Sequence, residues 1–84
     1  MKNDALIESL QNALESFKDV YVTFSTKRGT NRTMHCSRKS GDVPQEGKDD
    51  FKLNGPAIVA VYDYQNSAWR SFRKDSVISF EVKV

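Results

Sequence analysis

The sequence holds one cysteine, Cys36, and one histidine, His35. A lone cysteine excludes an intramolecular disulfide, and one Cys beside one His is too few ligands for the usual zinc sites. That usage fits a reducing compartment. No apolar run is long enough for a membrane span or the hydrophobic core of a signal peptide, and acids and polar side chains recur through the first fifteen positions. The expected location is the cytoplasm. Internal repeats, low-complexity tracts and glycine-rich phosphate loops are also missing. No cofactor is expected.

What is there suits one small domain spanning residues 1–84. The chain is 38% hydrophobic and 29% charged, enough apolar material to offset the entropy of ordering. At this length about 60% of the unfolded chain's surface is buried on folding, so the core must be small and well used. The net charge is only +2, but it is unevenly distributed. Lys27, Arg28, Arg32, Arg38 and Lys39 fall in one stretch without an acid, and Arg70, Arg73 and Lys74 form a second group. Such polarity draws an anionic partner to one region of the surface.

Residues 3–18 read as an amphipathic helix, with Asn3 or Asp4 as cap and Leu6, Ile7, Leu10, Ala13, Leu14 and Phe17 recurring every three or four positions. It is expected to lie over the open end of a sheet. Val20 to Thr26 alternates with period two and is β-branched or aromatic almost throughout, which makes a first strand with Val20, Val22 and Phe24 facing inward. Gly29 permits a tight turn, and the chain returns through Asn31 to Ser37 with Arg32, Met34 and Cys36 on one face. Residues 38–56 form a long irregular segment in which Phe51 and Leu53 are expected to pin the loop to the domain edge. The apolar run Ala57 to Tyr64 reads as the middle strand of the sheet, covered on both sides. Trp69 to Arg73 follows, then a short turn at Lys74-Asp75-Ser76. In the last strand Ile78, Phe80, Val82 and Val84 alternate with polar residues.

One helix followed by five short antiparallel strands predicts a mainly β domain. The expected form is a small five-stranded SH3-like or Sm-like barrel over residues 20–84, whose closure would remove exposed edges. An open α+β sheet with the helix on one face is the alternative.

Catalysis has little support in the pattern. His35 and Cys36 are neighbours on a strand and point to opposite faces, so they make no dyad, and Asp63 and Asp75 fall at strand ends where turn-forming roles are common. The chain is expected not to be an enzyme. Anion binding is better supported, because arginine grips phosphate bidentately and lysine adds a point charge. The candidate anion ligands are Arg28, Arg32, Arg38, Arg70, Arg73 and Lys74; Tyr21, Tyr62, Tyr64 and Trp69 are candidate stacking faces for bases. Trp69 and Phe72 lie on opposite faces of one strand, so at least one belongs to the core. The expected ligand is a nucleic acid, RNA or a single strand, or a nucleotide. The alternative is a protein partner docked on the helix stripe, a free strand edge or Phe51 and Leu53, and homo-oligomers are compatible with both.

Val22-Thr23-Phe24, Gly29 to Ser37, Tyr62-Asp63, Trp69 to Arg73 and Asp75-Ser76-Val77 together resemble a family of small, mostly phage-encoded Sm-like SH3-barrel proteins. That family is grouped with the C-terminal part of the WYL domains of bacterial regulators. The likeness covers roughly residues 20 to 82. It implies a barrel fold, a phage origin with action in the host cytoplasm, and binding of nucleic acid or a nucleotide-like ligand in an accessory or counter-defence role; as a docking protein, such a chain would inhibit a host protein. Phe72-Arg73-Lys74-Asp75-Ser76-Val77 echoes the family's final motif, in which Arg73, and more loosely Arg70, match the basic positions. The Trp-Tyr-Leu signature itself is absent.

Overall fold

The computed structural model describes residues 4–48 and 55–83. It contains one α-helix, α1 (Asp4–Ser16), and five strands: β1 (Val20–Ser25), β2 (Asn31–Ser37), β3 (Ile58–Asp63), β4 (Ala68–Arg73) and β5 (Val77–Val82). A single turn of 3-10 helix, Lys74–Ser76, joins β4 to β5. Every pairing is antiparallel, and the strand order is β4-β3-β2-β1-β5. The mainly β domain with an N-terminal helix is therefore as the sequence predicts. Asn3, Phe51, Leu53 and Val84 lie outside the described residues.

The ladder is open, with β4 and β5 as its two edges, but the sheet is far from flat. Laid flat, five strands would separate the outer two by about 19 Å. One turn of 3-10 helix advances only about 2 Å per residue, so the two edges must curl toward each other where Lys74–Ser76 links them. A second contact reports the same curl: Phe24 on β1 stacks on Phe72 on β4, ring centroids 5.5 Å apart. The barrel-like form thus comes from curvature, a short connection and side-chain packing, without a hydrogen-bonded seam between β4 and β5.

Three details differ from the sequence reading. The central strand is β2; β3 is second from the edge, although Val59, Ala60 and Val61 are all buried, as expected of a strand covered on both sides. A bulge falls where Thr23 pairs with Ser79 but Phe24 pairs with Val77. It skips Ile78, leaving that side chain 47% exposed while Val77 takes the inward place. Phe17 follows the last helical residue and is 40% exposed instead of completing the apolar stripe.

The core joins Ile7, Leu10, Ala13 and Leu14 of α1 to Val20, Val22, Met34, Cys36, Val59, Val61, Phe72 and Val77. Helix and sheet are also tied at one polar point. The buried Ser37 hydroxyl lies 2.7 Å from the Phe17 carbonyl and 3.3 Å from that of Leu14, and the Arg38 N–H donates to Leu14 O at 2.9 Å. Carbonyls at a helix C-terminus lack partners within the helix; here the end of β2 supplies them.

Candidate nucleic-acid interface

The hairpin of β1 and β2 positions most of the site. Thr26 and Thr30 close its turn, N–H to carbonyl at 2.8 Å and hydroxyl to hydroxyl at 2.9 Å. Gly29 sits at φ 83°, a left-handed conformation that side chains with a Cβ rarely adopt. β3 pairs with β2 only at Cys36 and Ser37. The outer half of the hairpin therefore projects beyond β3.

Directly opposed residues share a face of a sheet, and on the face away from the core the pairs are Tyr21 with His35, Thr23 with Thr33, and Ser25 with Asn31. The two threonine hydroxyls bond to each other at 2.9 Å. Beyond them the turn carries Lys27 and Arg28, both exposed and without an ion pair among the described residues. Tyr21 to Ser25 spans about 13 Å at strand rise. One face thus runs from aromatic rings through hydroxyls to unpaired cations.

The aromatic end continues across the sheet. Tyr21 stacks on His35 with centroids 4.5 Å apart and planes 8° from parallel. His35 meets Tyr64 at 4.7 Å, Tyr64 meets Tyr62 at 5.8 Å, and Tyr62 meets Trp69 edge-on at 5.8 Å. All four candidate stacking residues join one row. His35 completes it, although its adjacency to Cys36 drew attention only to catalysis; its pairing with Tyr21 across a predicted hairpin was the available signal. Asp19 fixes the ring, its Oδ1 accepting from Nε2 at 2.7 Å. Of the nearby acids, Asp42 is paired with Lys39 at 3.0 Å and Glu81 with Lys83 at 3.0 Å. Burial, then the charges of Asp42 and Asp19, outweigh a lowering hydrogen bond from Ser37 and raise the pKa of Tyr64; its phenol stays a donor.

The six cations do not gather into one cluster. Arg28 is at the turn. Arg32 is exposed and paired with Phe24, on the face opposite the hydroxyl row and beyond the end of the core, with no ion pair among the described residues. Arg38 is a structural residue: Nε donates to Glu15 Oε2 at 2.7 Å, Nη1 donates to the Ala60 carbonyl at 2.7 Å, and the guanidinium lies 5.9 Å from the Trp69 ring centroid. Arg70 is 4.0 Å from the buried Asp63. Arg73 lies against both carboxylate oxygens of its neighbour Asp75 at 3.2 Å. The Lys74 N–H holds the Ala57 carbonyl at 2.9 Å, which ties the β4–β5 corner to the start of β3.

Trp69 ends the row and is half-buried, as its other members are. It lies on the face opposite Phe72, which is the core residue of the pair. Residues 39–48 form a strap whose Gly47 lies against the indole, anchored by buried Val43 and by Lys48 Nζ 3.1 Å from Glu15 Oε1. A Cβ on Gly47 would sit 3.0 Å from Trp69 Cδ1, and Gly47 is at φ 92°, so both space and backbone call for glycine there. Beneath the strap the Trp69 Nε1–H is buried with no hydrogen-bond partner among the described residues, a loss of about 1–3 kcal/mol for a buried donor. Glu15 receives both Arg38 and Lys48. Burial opposes its ionisation, but those hydrogen bonds and charges win and lower its pKa.

The remaining chemistry-bearing groups have structural surroundings. Asp63 is buried; Oδ1 accepts from the Gln65 and Asn66 N–H groups at 2.9 and 3.4 Å, and Oδ2 from Asn66 Nδ2 at 2.6 Å, which holds the β3–β4 turn. Cys36 is buried in the core with its thiol pushed up to about 12, by burial first and by the charge of Asp63 second. It faces away from His35. Among the described residues no group of His, Cys, Asp and Glu is arranged to hold a metal ion, and no helix is long and apolar enough to cross a membrane.

The fold and site define a small, curled β-sheet domain with an aromatic row on its outer face and a cationic hairpin beside it. No family model, curated protein or solved structure matches this chain.

Proposed function

We propose that the protein is a non-enzymatic module that binds a single-stranded nucleic acid along the outer face of the β1–β2 hairpin. The observation that carries this reading is the order of groups on that face: the Tyr21–His35 stack, the hydroxyls of Thr23 and Thr33, Ser25 with Asn31, then the unpaired Lys27 and Arg28. Rings offer stacking to any base, and hydroxyls and amides offer hydrogen bonds to sugar and base edges. Lysine and arginine at the turn supply phosphate contacts. A role as a phage accessory or counter-defence factor in a host cytoplasm, suggested by the resemblance to Sm-like phage proteins, belongs to the same proposal.

The test is fluorescence anisotropy with a labelled ten-residue oligouridine over a salt series. Two or three phosphate contacts give a slope of log K against log salt of about −1.4 to −2.1. Absence of binding at low salt overturns the reading.

A second reading, docking onto a host protein, has one specific support. β5 is a free edge and Ile78 is 47% exposed on it, which suits strand addition by a partner. The apolar stripe of α1 is engaged in the core and is not available for docking.

A further inference from the structure

Trp69 and Tyr62, both half-buried, end the aromatic row, and Gly47 of the strap and the Arg38 guanidinium lie against the indole. Two features weaken the closed arrangement. The Trp69 Nε1 donor is buried without a hydrogen-bond partner among the described residues. An ion pair that ties the strap to α1, Lys48 to Glu15, ends on a carboxylate side chain that is 48% exposed, where solvent screens the charge. Gly41 and Gly47, both at φ 92°, lie on either side of the buried Val43 and are points where the backbone can rotate.

We infer that residues 39–48 are a displaceable cover over a second base-stacking site, whose floor is Trp69 with Tyr62 at its edge and whose occupant is a further nucleobase of the bound strand. This inference rests on the hairpin reading and adds to it. A strand engaged at Tyr21 and His35 continues along Tyr64 and Tyr62 to Trp69. Once the strap lifts, the Nε1–H gains an acceptor from base or phosphate, a contact the closed state does not provide. The hairpin site alone suffices for a short oligonucleotide. The covered site adds affinity only for a longer one, and the measured affinity is reduced by the fraction of molecules whose strap is closed.

Because Trp69 is the only tryptophan, its fluorescence reports the cover directly. The experiment compares the full chain with Gly47→Ala, which wedges the strap against the indole, and Glu15→Gln, which weakens the Lys48 and Arg38 ion pairs without touching the ring. Acrylamide quenching of Trp69 in the free proteins is expected to rise at least twofold in both variants. Anisotropy with four-residue and ten-residue oligouridine is expected to show tighter binding of the ten-residue probe by the variants, by threefold or more, with the four-residue probe unchanged. Saturating ten-residue probe should shift Trp69 emission in all three proteins. If Gly47→Ala fails to fold, Glu15→Gln carries the comparison. Binding of both probes with equal affinities across the proteins and unaltered Trp69 emission overturns the covered site and leaves the hairpin reading standing. No binding of either probe by any of the proteins overturns both.

Discussion

Phe24 and Phe72 stack 5.5 Å apart, centroid to centroid, although β3 and β2 lie between their strands in the sheet. In a flat sheet β1 and β4 would be about 14 Å apart, so this pair is a direct consequence of the curl. It is also the apolar seal at the end of the core nearest Arg32.

Phe72→Ala is accordingly expected to destabilise by about 3–5 kcal/mol, the usual range for deleting a buried phenylalanine. Phe24→Ala should cost less, because that ring is only half-buried. In a double-mutant cycle read by urea unfolding, the two should couple by about 0.5–1.5 kcal/mol. Strict additivity would mean that the stack contributes nothing to holding the curl.

Lys27→Ala and Arg28→Ala are each expected to weaken oligouridine binding and to make the salt slope shallower by about 0.7, whereas Arg32→Ala, on the opposite face of the hairpin, should leave both nearly unchanged. Arg73→Ala should matter less, since Asp75 already holds its guanidinium, and Arg38→Ala should lower stability more than binding. Tyr21→Ala removes a stacking face and should cost about 1–3 kcal/mol of affinity with the slope unchanged. Equal losses from all the arginines would favour diffuse charge over an ordered face.

The Cys36 thiol, buried and pushed up to about 12, should resist iodoacetamide at pH 8 in the native protein and react fully once unfolded in guanidinium. Its raised value also sets a sign. The protonated thiol favours the fold, so this contribution is complete below the reference value of 9.0 and is lost as pH climbs toward about 12. Rapid native labelling would contradict the packing of β2 against the core.

Glu15 works in the opposite sense. Its folded pKa lies below the reference 4.5, so the advantage of glutamate over glutamine is present above that value and fades as pH falls through the lowered one. Chemical unfolding of wild type and Glu15→Gln from pH 7 down to pH 2 should give curves that converge at the acid end. A constant gap would show that the ion pairs with Arg38 and Lys48 do not form in solution.

The elements legible in the sequence were those with strong periodicity. Val20, Val22, Met34 and Cys36 are buried where alternation puts them, and α1 buries Ile7, Leu10, Ala13 and Leu14 of its stripe, with Leu6 partly buried and Phe17 exposed. Alternation misplaced Ile78 because a bulge arises from pairing with β1, a relation that residues 77–82 do not carry by themselves. Composition marked Arg38 as a surface cation like the others. Its role depends on Glu15 and the Ala60 carbonyl, 23 and 22 residues away, and no local pattern encodes that. The aromatic row is half legible: the sequence offers the rings one by one, but their meeting depends on the register of four strands.

The Ser37 hydroxyl also bears on how the chain acquires its shape. α1 has thirteen residues, short enough to be marginal as an isolated helix, and the Leu14 and Phe17 carbonyls at its end find partners at the far end of β2. The same oxygen accepts the Lys39 N–H at 3.0 Å, where the strap departs. During synthesis the helix therefore cannot be consolidated when it emerges; it must wait about twenty residues for the end of the hairpin, and the strap can set its course only after that. The first element in the sequence is among the later ones to become fixed, and hydrogen exchange on a chain released after residue 30 should find its amides unprotected.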